Sequence, residues 1–318
     1  MSARARVVVA GAGAVGSVVG GLLAADGHEV LLVGRDPHMA AIARDGLHVT
    51  GLFGDRRSAP GATTDLAAAD QAVDAVFVSV KSHATAAVAA TLARWRAQPP
   101  LVVSLQNGLG NVETLAAALG GERVLGARVI FGAVVPEPGT AHVTVNARPV
   151  AIGPLRAAGD ALLAHAERVA ALLQAAGIPA EALASVEPLL WEKALYNCGL
   201  NPLGALHGLT YGEVVASREL RPVLDAAIDE GFAVARASGI ALPWREAAEF
   251  RAYFHATLVP PTAAHRSSMR QDLEAGRRTE VDAIGGAIVR AGKRTGVPTP
   301  VNARLVAALH DAERTRRT

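Results

Sequence analysis

The sequence predicts an α/β protein, in which an N-terminal doubly wound sheet is followed by an all-α C-terminal domain. Three observations predict this order. A β-branched run at residues 7–9 precedes a glycine-rich turn and an Ala/Leu-rich helix, other buried-strand patterns end in polar clusters, and only helical patterns follow Val186. Because 318 residues are too many for one typical core, we expect two domains, residues 1–180 and 181–318.

The first strand and its turn predict a dinucleotide site. Within the pattern G-x-G-x-x-G, Gly11 permits the turn, Gly13 lets the backbone approach a pyrophosphate, and Gly16 lets the helix pack on the strand. The order strand, glycine turn, helix is the context that this motif requires. We therefore expect a Rossmann-like domain whose cofactor contacts the whole turn: Gly11, Ala12, Gly13, Ala14, Val15 and Gly16.

The end of the second predicted strand, residues 29–33, indicates which dinucleotide binds. A site for NAD usually offers a carboxylate there to the ribose 2′-hydroxyl, but this chain has Gly34-Arg35. A guanidinium in place of the carboxylate favours a 2′-phosphate, so we expect NADPH as the cofactor. In the alternative interpretation, Arg35 pairs with Asp36 and contributes nothing to cofactor binding.

Two further strand patterns, residues 75–80 and 101–105, end in polar clusters. Lys81 follows the first and Asn107 follows the second. Ligands of doubly wound sheets bind beyond the carboxyl ends of the strands, so both residues are candidates to face cofactor or substrate. Asn107-Gly108 is also an ordinary turn dipeptide. Residues 126–153 then carry β-branched runs that predict antiparallel strands finishing the sheet, and a helix is expected over 160–176.

The stretch Leu190–Leu206 carries the candidate chemistry. Read as a helix, it places Lys193, Asn197 and Asn201 at i, i+4 and i+8, so their side chains share one face while the rest is apolar. The chain has only three lysines, and burial lowers the pKa of a lysine readily, which suits proton donation near neutral pH. In the alternative interpretation Lys193 is a surface lysine beside Glu192 and the asparagines cap the helix near Pro202.

A second constellation covers Ser267–Asp282. Gly276 ends one helix, and Thr279 followed by Asp282 resembles an approximate capping box for the next helix. Glu280 would lie in the first turn of that helix, where a carboxylate is favoured by the helix dipole without any role in chemistry.

Composition excludes several classes of function. The formal charge is +2 and the basic residues are scattered apart from Arg314, Arg316 and Arg317, so no nucleic-acid surface is expected. The single cysteine, Cys198, excludes an intramolecular disulfide, and no Cys or His cluster has metal-ligand spacing. We therefore expect no metal and a reducing, cytoplasmic location.

Residues 7–25 form an uncharged run of nineteen residues behind Arg4 and Arg6, which by length alone fits a signal peptide or a membrane span. Five glycines interrupt the run and no second long apolar run occurs. We therefore expect a soluble protein with no membrane segment.

These motifs, in order and spacing, resemble the ketopantoate reductases (2-dehydropantoate 2-reductases) from the N-terminus to about residue 300. The resemblance rests on the glycine turn, Lys81, Gln106-Asn107-Gly108, the Lys193 helix and the two parts Ser267–Asp272 and Thr279–Asp282. It implies a Rossmann domain followed by a helical domain. It also implies reduction of a 2-oxo acid, ketopantoate, by NADPH in pantothenate and coenzyme A synthesis, and it is compatible with a homodimer.

The resemblance also implies roles for single residues. Lys193 matches the catalytic lysine that protonates the carbonyl oxygen, and Glu280 matches the acidic residue that engages the substrate hydroxyl and the lysine. Hydride transfer builds negative charge on oxygen, which a positioned ammonium stabilises. Four polar residues match substrate contacts and two basic residues match cofactor positions: Asn107, Asn197, Asn201 and Ser268, then Arg35 and Lys81.

The chain departs from the family pattern at Tyr211 and His265, and Gly285-Gly286 stands where an Asn-Gly often follows the acidic motif. Tyr211 stands where well-known members have an asparagine, and His265 stands where some members also have one. Because both positions lie near the substrate in the family, the natural 2-oxo acid could differ from ketopantoate. The other interpretations are a β-hydroxyacid dehydrogenase, which the Ser267–Asp282 stretch disfavours, and a non-catalytic dinucleotide sensor, which Lys193 and Glu280 disfavour.

Overall fold

A computed structural model describes residues 4–97 and 101–316 of the chain. The chain forms two compact units. The first comprises Met1–Asn107 and Asn111–Glu187, and the second comprises Gly108–Gly110 and Pro188–Thr318. The last strand of the first unit covers residues 180–182, across the boundary expected at residue 180.

The first unit is a mixed α/β structure. Its strands are β1 (Arg6–Ala10), β2 (Glu29–Val33), β3 (Leu47–Gly51), β4 (Arg56–Ser58), β5 (Gly61–Thr63), β6 (Ala75–Val78), β7 (Val102–Ser104), β8 (Val124–Arg128), β9 (Phe131–Val134), β10 (Thr140–Asn146), β11 (Val150–Gly153) and β12 (Ala180–Ala182). Its helices are α1 (Ala14–Ala25), α2 (His38–Asp45), α3 (Thr85–Leu92), α4 (Asn111–Leu119) and α5 (Asp160–Ala175).

Eight strands form the main sheet in the order β12-β11-β8-β7-β6-β1-β2-β5. All neighbours are parallel except β8 and β11, so the last two strands run against the rest. The chain leaves β1 towards β2 on one side and returns to β6 on the other, so the strand order reverses beside β1. In a doubly wound sheet this reversal opens a crevice at the carboxyl ends of the strands, where ligands bind.

A second, four-stranded sheet has the order β4-β3-β10-β9. The sequence predicted that all strands of residues 126–153 finish the main sheet, and this was wrong for β9 and β10. Only β8 and β11 join the main sheet, whereas β10 pairs in parallel with β3, with Thr140 opposite His48. The error has a physical cause: β-branched runs reveal strands, but partners so far apart in sequence are selected by tertiary packing.

Helix α1 packs on residues of both sheets, which explains its glycines. A Cβ at Gly20 would lie 2.3 Å from Leu32 of the main sheet, and a Cβ at Gly21 would lie 2.6 Å from Val49 of the small sheet. Larger side chains at these positions would push the helix away from one sheet or the other. The apolar run of residues 7–25 is therefore a buried strand followed by a buried helix, as the sequence indicates.

The second unit contains only helices among its described residues. These are α6 (Glu187–His207), α7 (Tyr211–Ala216), α8 (Leu220–Ala237), α9 (Ala247–Tyr253), α10 (Ser268–Glu274), α11 (Gly285–Thr295) and α12 (Pro300–Thr315). A π-helical turn, Phe254–Leu258, continues α9. The unit has its own core, in which Leu195 of α6, Ile228 of α8 and Phe250 of α9 are fully buried. No helix within residues 4–97 and 101–316 is long and apolar enough to cross a membrane.

Candidate functional site

The glycine turn after β1 has the shape of a dinucleotide-binding turn. Gly11 has φ +112°, which L side chains rarely adopt, and a Cβ there would lie 2.4 Å from the backbone nitrogen of Val80. The turn is held to β2, because the N–H groups of Gly11 and Ala12 both donate to the carbonyl of Val33, at 2.9 and 2.8 Å. Gly11 is thus required by the fold itself.

The other two glycines of the motif meet different constraints. A Cβ at Gly16 would lie 2.3 Å from the carbonyl oxygen of Gly11 and 2.5 Å from Oγ of Ser79, so this position packs the helix against the turn. A Cβ at Gly13 would meet nothing within 4 Å. Gly13 therefore faces open space at the N-terminus of α1, where the helix offers backbone N–H groups to a phosphate.

Ser79 is a supporting residue that the sequence motif does not reveal. Its hydroxyl donates to the carbonyl of Gly11 at 2.7 Å, which joins the end of β6 to the turn after β1. The remaining residues of the motif continue into the helix: Ala12 is buried, while Ala14 and Val15, the first residues of α1, are partly buried.

Arg35 lies just beyond β2 and is exposed. The alternative interpretation paired it with Asp36, but within residues 4–97 and 101–316 no ion pair joins them. Asp36 instead accepts a hydrogen bond from the backbone N–H of Ala40 in α2, at 3.1 Å through Oδ1. The guanidinium of Arg35 is therefore available to a ligand at the end of β2.

Polar side chains at the ends of β6 and β7 form a buried network. Gln106 donates to Oγ1 of Thr85 at 2.7 Å and to the carbonyl of Val80 at 2.9 Å. Thr85 donates in turn to Asn111 at 2.8 Å, and Asn111 donates to the backbone carbonyl of Asn107 at 2.9 Å. This network, which the sequence did not predict, fixes the backbone of Asn107 by bonds that do not use its side chain.

Lys81 also lies at this edge of the sheet. It directly precedes a short 3₁₀ turn, Ser82–Ala84, and is partly buried. Its carbonyl accepts a hydrogen bond from the N–H of Ala84 at 2.8 Å. Lys81 therefore follows β6, which borders the reversal of strand order, and Asn107 follows β7, the next strand of the sheet.

Helix α6 carries the predicted polar row. The helix continues through Pro202 to His207, so the asparagines lie inside it and do not cap it, against the alternative interpretation. Asn197 is 7% exposed and Asn201 is 5% exposed, while Lys193 is partly buried. A row of one cation and two amides on an otherwise apolar, buried helix is unusual. Burying polar side chains costs free energy unless they form hydrogen bonds with the protein or a ligand.

The two amides of this row differ in their partners. Oδ1 of Asn201 accepts a hydrogen bond from the hydroxyl of Tyr211 at 2.7 Å. Asn197 has no side-chain hydrogen bond to any other described residue of the chain. A buried amide without a protein partner is expected where a ligand supplies one.

Tyr211 and His265, which both depart from the family pattern near the substrate, are in contact with each other. Their ring centroids lie 5.1 Å apart, and the backbone N–H of Tyr211 donates to the carbonyl of His265 at 3.2 Å. Burial raises the pKa of Tyr211 well above its ordinary value and lowers the pKa of His265. At neutral pH both side chains are therefore uncharged.

Cys198 lies in the same helix and packs in the core of the second unit. It is buried, and burial raises the pKa of its thiol to about 12. A thiol in that state is neither a nucleophile nor a metal ligand at neutral pH.

The Ser267–Asp282 stretch divides into two local structures. Ser267 caps α10 by accepting from the N–H of Arg270 at 3.1 Å, and the neighbouring Ser268 is exposed. Glu280, 7% exposed, precedes a 3₁₀ turn, Val281–Ala283. The helix start expected at Thr279 was placed too early, because α11 begins only at Gly285.

The capping box expected at Thr279 and Asp282 is not what these residues form. Thr279 Oγ1 accepts from the N–H of Val281 at 3.3 Å, while Asp282 accepts from Arg278 and faces His310 at 3.0 Å. A buried carboxylate ahead of a single 3₁₀ turn gains little from a helix dipole, which weakens that explanation of Glu280. Throughout the described residues, no group of three or more His, Cys, Asp or Glu side chains could hold a metal ion.

Two family models match the chain, one for each half. Residues 7–157 match "Ketopantoate reductase PanE/ApbA" and residues 185–313 match its C-terminal model. The chain belongs to the ketopantoate reductase family. The residues matched include the glycine turn, Arg35, Lys81 and Asn107 in the first model and the α6 row, Ser268 and Glu280 in the second.

Known members of this family are similar over almost the whole chain. A 2-dehydropantoate 2-reductase of Archaeoglobus fulgidus is 37% identical over 313 residues, which is 97% of this chain and 98% of that protein. The crystal structure of a ketopantoate reductase from Ralstonia eutropha superposes with a TM-score of 0.86 at 34% identity, covering 98% of this chain and 100% of that one.

A structure with a different named activity is also similar. A D-mandelate dehydrogenase, in a ternary structure with NADH and anilino(oxo)acetate, has a TM-score of 0.86 at 25% identity, covering 98% of this chain and 100% of that one. The same architecture thus serves proteins with different named substrates and, in that structure, NADH.

Proposed function

We propose that this protein reduces 2-dehydropantoate to pantoate with NADPH. The observation that carries the proposal is the row of Lys193, Asn197 and Asn201 on the buried helix α6, in a chain that belongs to the ketopantoate reductase family. The similarity to named 2-dehydropantoate 2-reductases supplies the substrate. From the resemblance of its motifs and its single cysteine, we extend the proposal to pantothenate synthesis in the cytoplasm, with the chain as a homodimer.

In this proposal Lys193 is the general acid. Reduction of a ketone develops negative charge on the carbonyl oxygen, and a positioned ammonium both stabilises that charge and donates the proton that completes the alcohol. Lysine suits this task better than arginine, because an ammonium can release a proton whereas a guanidinium stays charged. The partly buried position of Lys193 supports this role, since it limits competition from water.

The remaining polar residues bind the substrate. Asn197 offers a buried amide with no side-chain partner among the described residues, and Asn107 has a backbone fixed by the network around Gln106. Glu280 is a nearly buried carboxylate, which suits a hydrogen bond from a substrate hydroxyl. Ser268 is the exposed hydroxyl at the start of α10 and completes the set of substrate contacts.

The cofactor assignment rests on the end of β2. The glycine turn fits a dinucleotide, because a Cβ at Gly13 meets nothing and the N-terminus of α1 lies behind it. Arg35 follows β2 where an NAD site usually has a carboxylate, and it is exposed and not paired with Asp36 within the described chain. Bound NADPH would supply the hydride, and Arg35 and Lys81 would neutralise its phosphates.

The test of this proposal is NADPH oxidation at pH 7 with a panel of 2-oxo acids, repeated with NADH, beside 3-hydroxy acids run in the reverse direction. Efficient turnover of 2-dehydropantoate with NADPH preferred over NADH supports the assignment. Turnover of 3-hydroxy acids alone would instead identify a β-hydroxyacid dehydrogenase. Tight dinucleotide binding with no turnover in any panel would identify a sensor, and either result refutes the proposal.

A second candidate, reduction of another 2-oxo acid, is favoured by one observation. The similar D-mandelate dehydrogenase was solved with anilino(oxo)acetate, an aromatic 2-oxo acid derivative, and in this chain the aromatic Tyr211 touches Asn201 of the polar row. Faster turnover of an aromatic 2-oxo acid than of 2-dehydropantoate would identify this activity, and the roles of Lys193 and the glycine turn would be retained.

A further inference from the structure

The hydrogen bond between Tyr211 and Asn201 has a consequence for substrate recognition. It joins the first residue of α7 to the polar row on α6, and both side chains are 5% exposed. The phenol donates to Oδ1, at 2.7 Å. The oxygen of the Asn201 amide is therefore engaged by the protein.

The position of the phenol is itself fixed by its surroundings. Tyr196 packs edge-on against the Tyr211 ring with centroids 5.6 Å apart, and the ring of His265 lies 5.1 Å away. The start of α7 is fixed as well, because Thr210 and Glu213 form a reciprocal capping box around it. A ring packed by two others keeps its hydroxyl in one place.

The phenol also stays a donor over the working pH range. Burial raises the pKa of Tyr211 well above its ordinary value, so the hydroxyl keeps its proton in neutral and mildly alkaline solution. The interaction with Asn201 is therefore not lost by ionisation.

An amide whose oxygen is engaged has only its nitrogen left to offer. Nδ2 of Asn201 carries two N–H donors and no acceptor. No hydrogen bond from Nδ2 reaches another residue in the described part of the chain. Asn197 differs, because neither end of its amide is held by a described residue. Of the two asparagines, Asn201 is the one whose amide orientation is fixed by the protein before a substrate binds.

Helix geometry separates this donor from the proton donor. Lys193 and Asn201 lie eight residues apart, which is about 12 Å along a helix, so their side chains reach a bound substrate from different positions along α6. If Lys193 protonates the reacting carbonyl, Asn201 meets a different polar group of the substrate.

We propose that Tyr211 is a positioning residue, which holds the Asn201 amide so that Nδ2 donates to an oxygen at the end of the 2-oxo acid remote from the reacting carbonyl. The proposal rests on the proposed function, because it takes Lys193 as the proton donor. In 2-dehydropantoate that oxygen is the terminal hydroxyl, which can accept from Asn201 while it donates to a carboxylate. Tyr211 thus makes the site selective for substrates that carry an acceptor at the far end.

The test compares two substrates that differ only in this oxygen: 2-dehydropantoate and 3,3-dimethyl-2-oxobutanoate, which lacks the hydroxyl. Tyr211→Phe should raise KM for 2-dehydropantoate about tenfold, because the amide can then turn away, with kcat changed less than about twofold. KM for the deoxy substrate and for NADPH should not change. A merely structural role would raise all three constants or lower kcat for both substrates.

A double-mutant cycle decides whether Tyr211 acts through Asn201. Asn201→Ala should reproduce the KM effect of Tyr211→Phe, and adding Tyr211→Phe to Asn201→Ala should change nothing further. Additive effects would overturn the proposal. If Tyr211→Phe does not fold, Asn201→Ala alone still tests the substrate contact, because an equal rise of KM for both substrates would contradict it.

The matched control is Tyr196→Phe, which removes a hydroxyl from the same aromatic cluster. The hydroxyl of Tyr196 bonds to Oγ1 of Thr262 at 2.6 Å and not to the polar row, so KM for 2-dehydropantoate should stay at the parent value. A rise in this KM equal to that in Tyr211→Phe would show that any disturbance of the aromatic cluster weakens substrate binding, and the proposal would fail.

The design separates this inference from the proposed function. A parent protein that turns over no 2-oxo acid refutes the proposed function. The same variants would then be compared by calorimetric binding of pantoate in the presence of NADP⁺. Weaker binding in Tyr211→Phe that is not additive with Asn201→Ala would still support positioning, whereas equal binding in all variants, or none, would overturn it.

Discussion

The three asparagines of the candidate site differ in the hydrogen bonds that hold them. Asn201 is held by Tyr211, the backbone carbonyl of Asn107 is held by Asn111, and Asn197 has no side-chain hydrogen bond to the described residues. A substrate would therefore meet one fixed donor and one adaptable amide on α6. Fixed donors give selectivity at low cost on binding, because their orientation needs no further ordering.

Lys193 provides the residue-scale test of proton donation. Lys193→Ala should lower kcat by on the order of 10²–10⁴, and Lys193→Arg should be nearly as slow, because a guanidinium keeps the charge but does not release a proton. The measurement is steady-state turnover of 2-dehydropantoate at pH 7. Lys293→Arg, a change at an exposed lysine on α11, is the matched control and should leave kcat unchanged. Parent-like kcat in Lys193→Ala would rule out the general-acid role.

Arg35 provides the test of cofactor choice. Arg35→Ala should raise KM for NADPH by about tenfold or more and leave KM for NADH within about twofold, because a phosphate contact to arginine is a charged hydrogen bond. Arg44→Ala removes another exposed arginine from the same region, one that is paired with Asp45, and should change neither constant. If Arg35→Ala left KM for NADPH unaltered, the assignment of the 2′-phosphate contact would be wrong.

The candidate residues could be read from the sequence because their chemistry is local in the chain. Helical spacing alone placed Lys193, Asn197 and Asn201 on one face, and the structure has that helix. The hydroxyl of Tyr211 could not be assigned to Asn201 in the same way, because the interaction joins two helices through a bend that no periodicity describes. The resemblance marked Tyr211 as unusual, and only the structure shows what it touches.

At the scale of elements, two glycines of the turn have different roles: Gly11 is needed for folding and Gly13 for cofactor binding. Gly11→Ala should lower the free energy of unfolding by about 2 kcal/mol or more, since it combines a φ of +112° with a backbone contact. Gly13→Ala should fold with parent-like stability, because its Cβ enters only open space. It should raise KM for NADPH, because that space is where the pyrophosphate is expected to approach the backbone. Urea unfolding and steady-state kinetics measure the two effects. A loss of stability in Gly13→Ala equal to that in Gly11→Ala would contradict this division.

Helix α2 is tied to its neighbours by one buried histidine. Nδ1 of His38 accepts from the N–H of Gly139 at 3.0 Å, so the neutral ring carries its proton on Nε2 and donates to Oγ of Ser17 at 2.9 Å. Burial lowers the pKa of His38. A protonated ring would lose the bond to Gly139, which connects α2 to the loop between β9 and β10.

Stability should therefore depend on pH through His38. Because the pKa of His38 in the folded form lies below the unfolded value of about 6.5, the unfolded chain binds more protons at acidic pH. The contribution of His38 to the free energy of unfolding is therefore fully present above about pH 6.5. It should fall at lower pH, by at most about 1.4 kcal/mol per pH unit, until the folded form also titrates. Urea unfolding at pH 7.5 and 5.5 should show a smaller difference in His38→Asn, which keeps an acceptor near Nδ1. Equal differences in parent and variant would refute the role of His38.

The elements that the sequence predicted and those that it missed have different physical origins. The helix expected at 160–176 and the buried strands beside the glycine turn follow from local periodicity, and they are present as α5, β1, β2, β6 and β7. The small sheet is different, because β3 and β10 pair across about ninety residues and β4 is only three residues long. Neither length nor periodicity specifies such a pairing, which depends on α1 packing against both partners.

At the scale of the whole molecule, the chain contains two hydrophobic cores. One surrounds Leu23 and Phe77 in the sheet unit, and the other surrounds Leu195 and Phe250 in the helical unit. Chain length indicated two domains, since 318 residues exceed one typical core. Separate cores have a measurable consequence, because each can unfold with its own midpoint and enthalpy.

Calorimetry tests this organisation and the position of the cofactor together. We expect a calorimetric enthalpy of unfolding larger than the van't Hoff enthalpy, as for a protein that does not unfold in one step. NADPH at about 100 times its Kd should stabilise the unit that contains the glycine turn by about 2.7 kcal/mol, so the transition of that unit should move to higher temperature. Gly13→Ala should reduce the shift at the same NADPH concentration without moving either transition in its absence. A single transition with equal enthalpies would show that the two cores unfold as one unit, and an NADPH shift unaffected by Gly13→Ala would place the dinucleotide elsewhere.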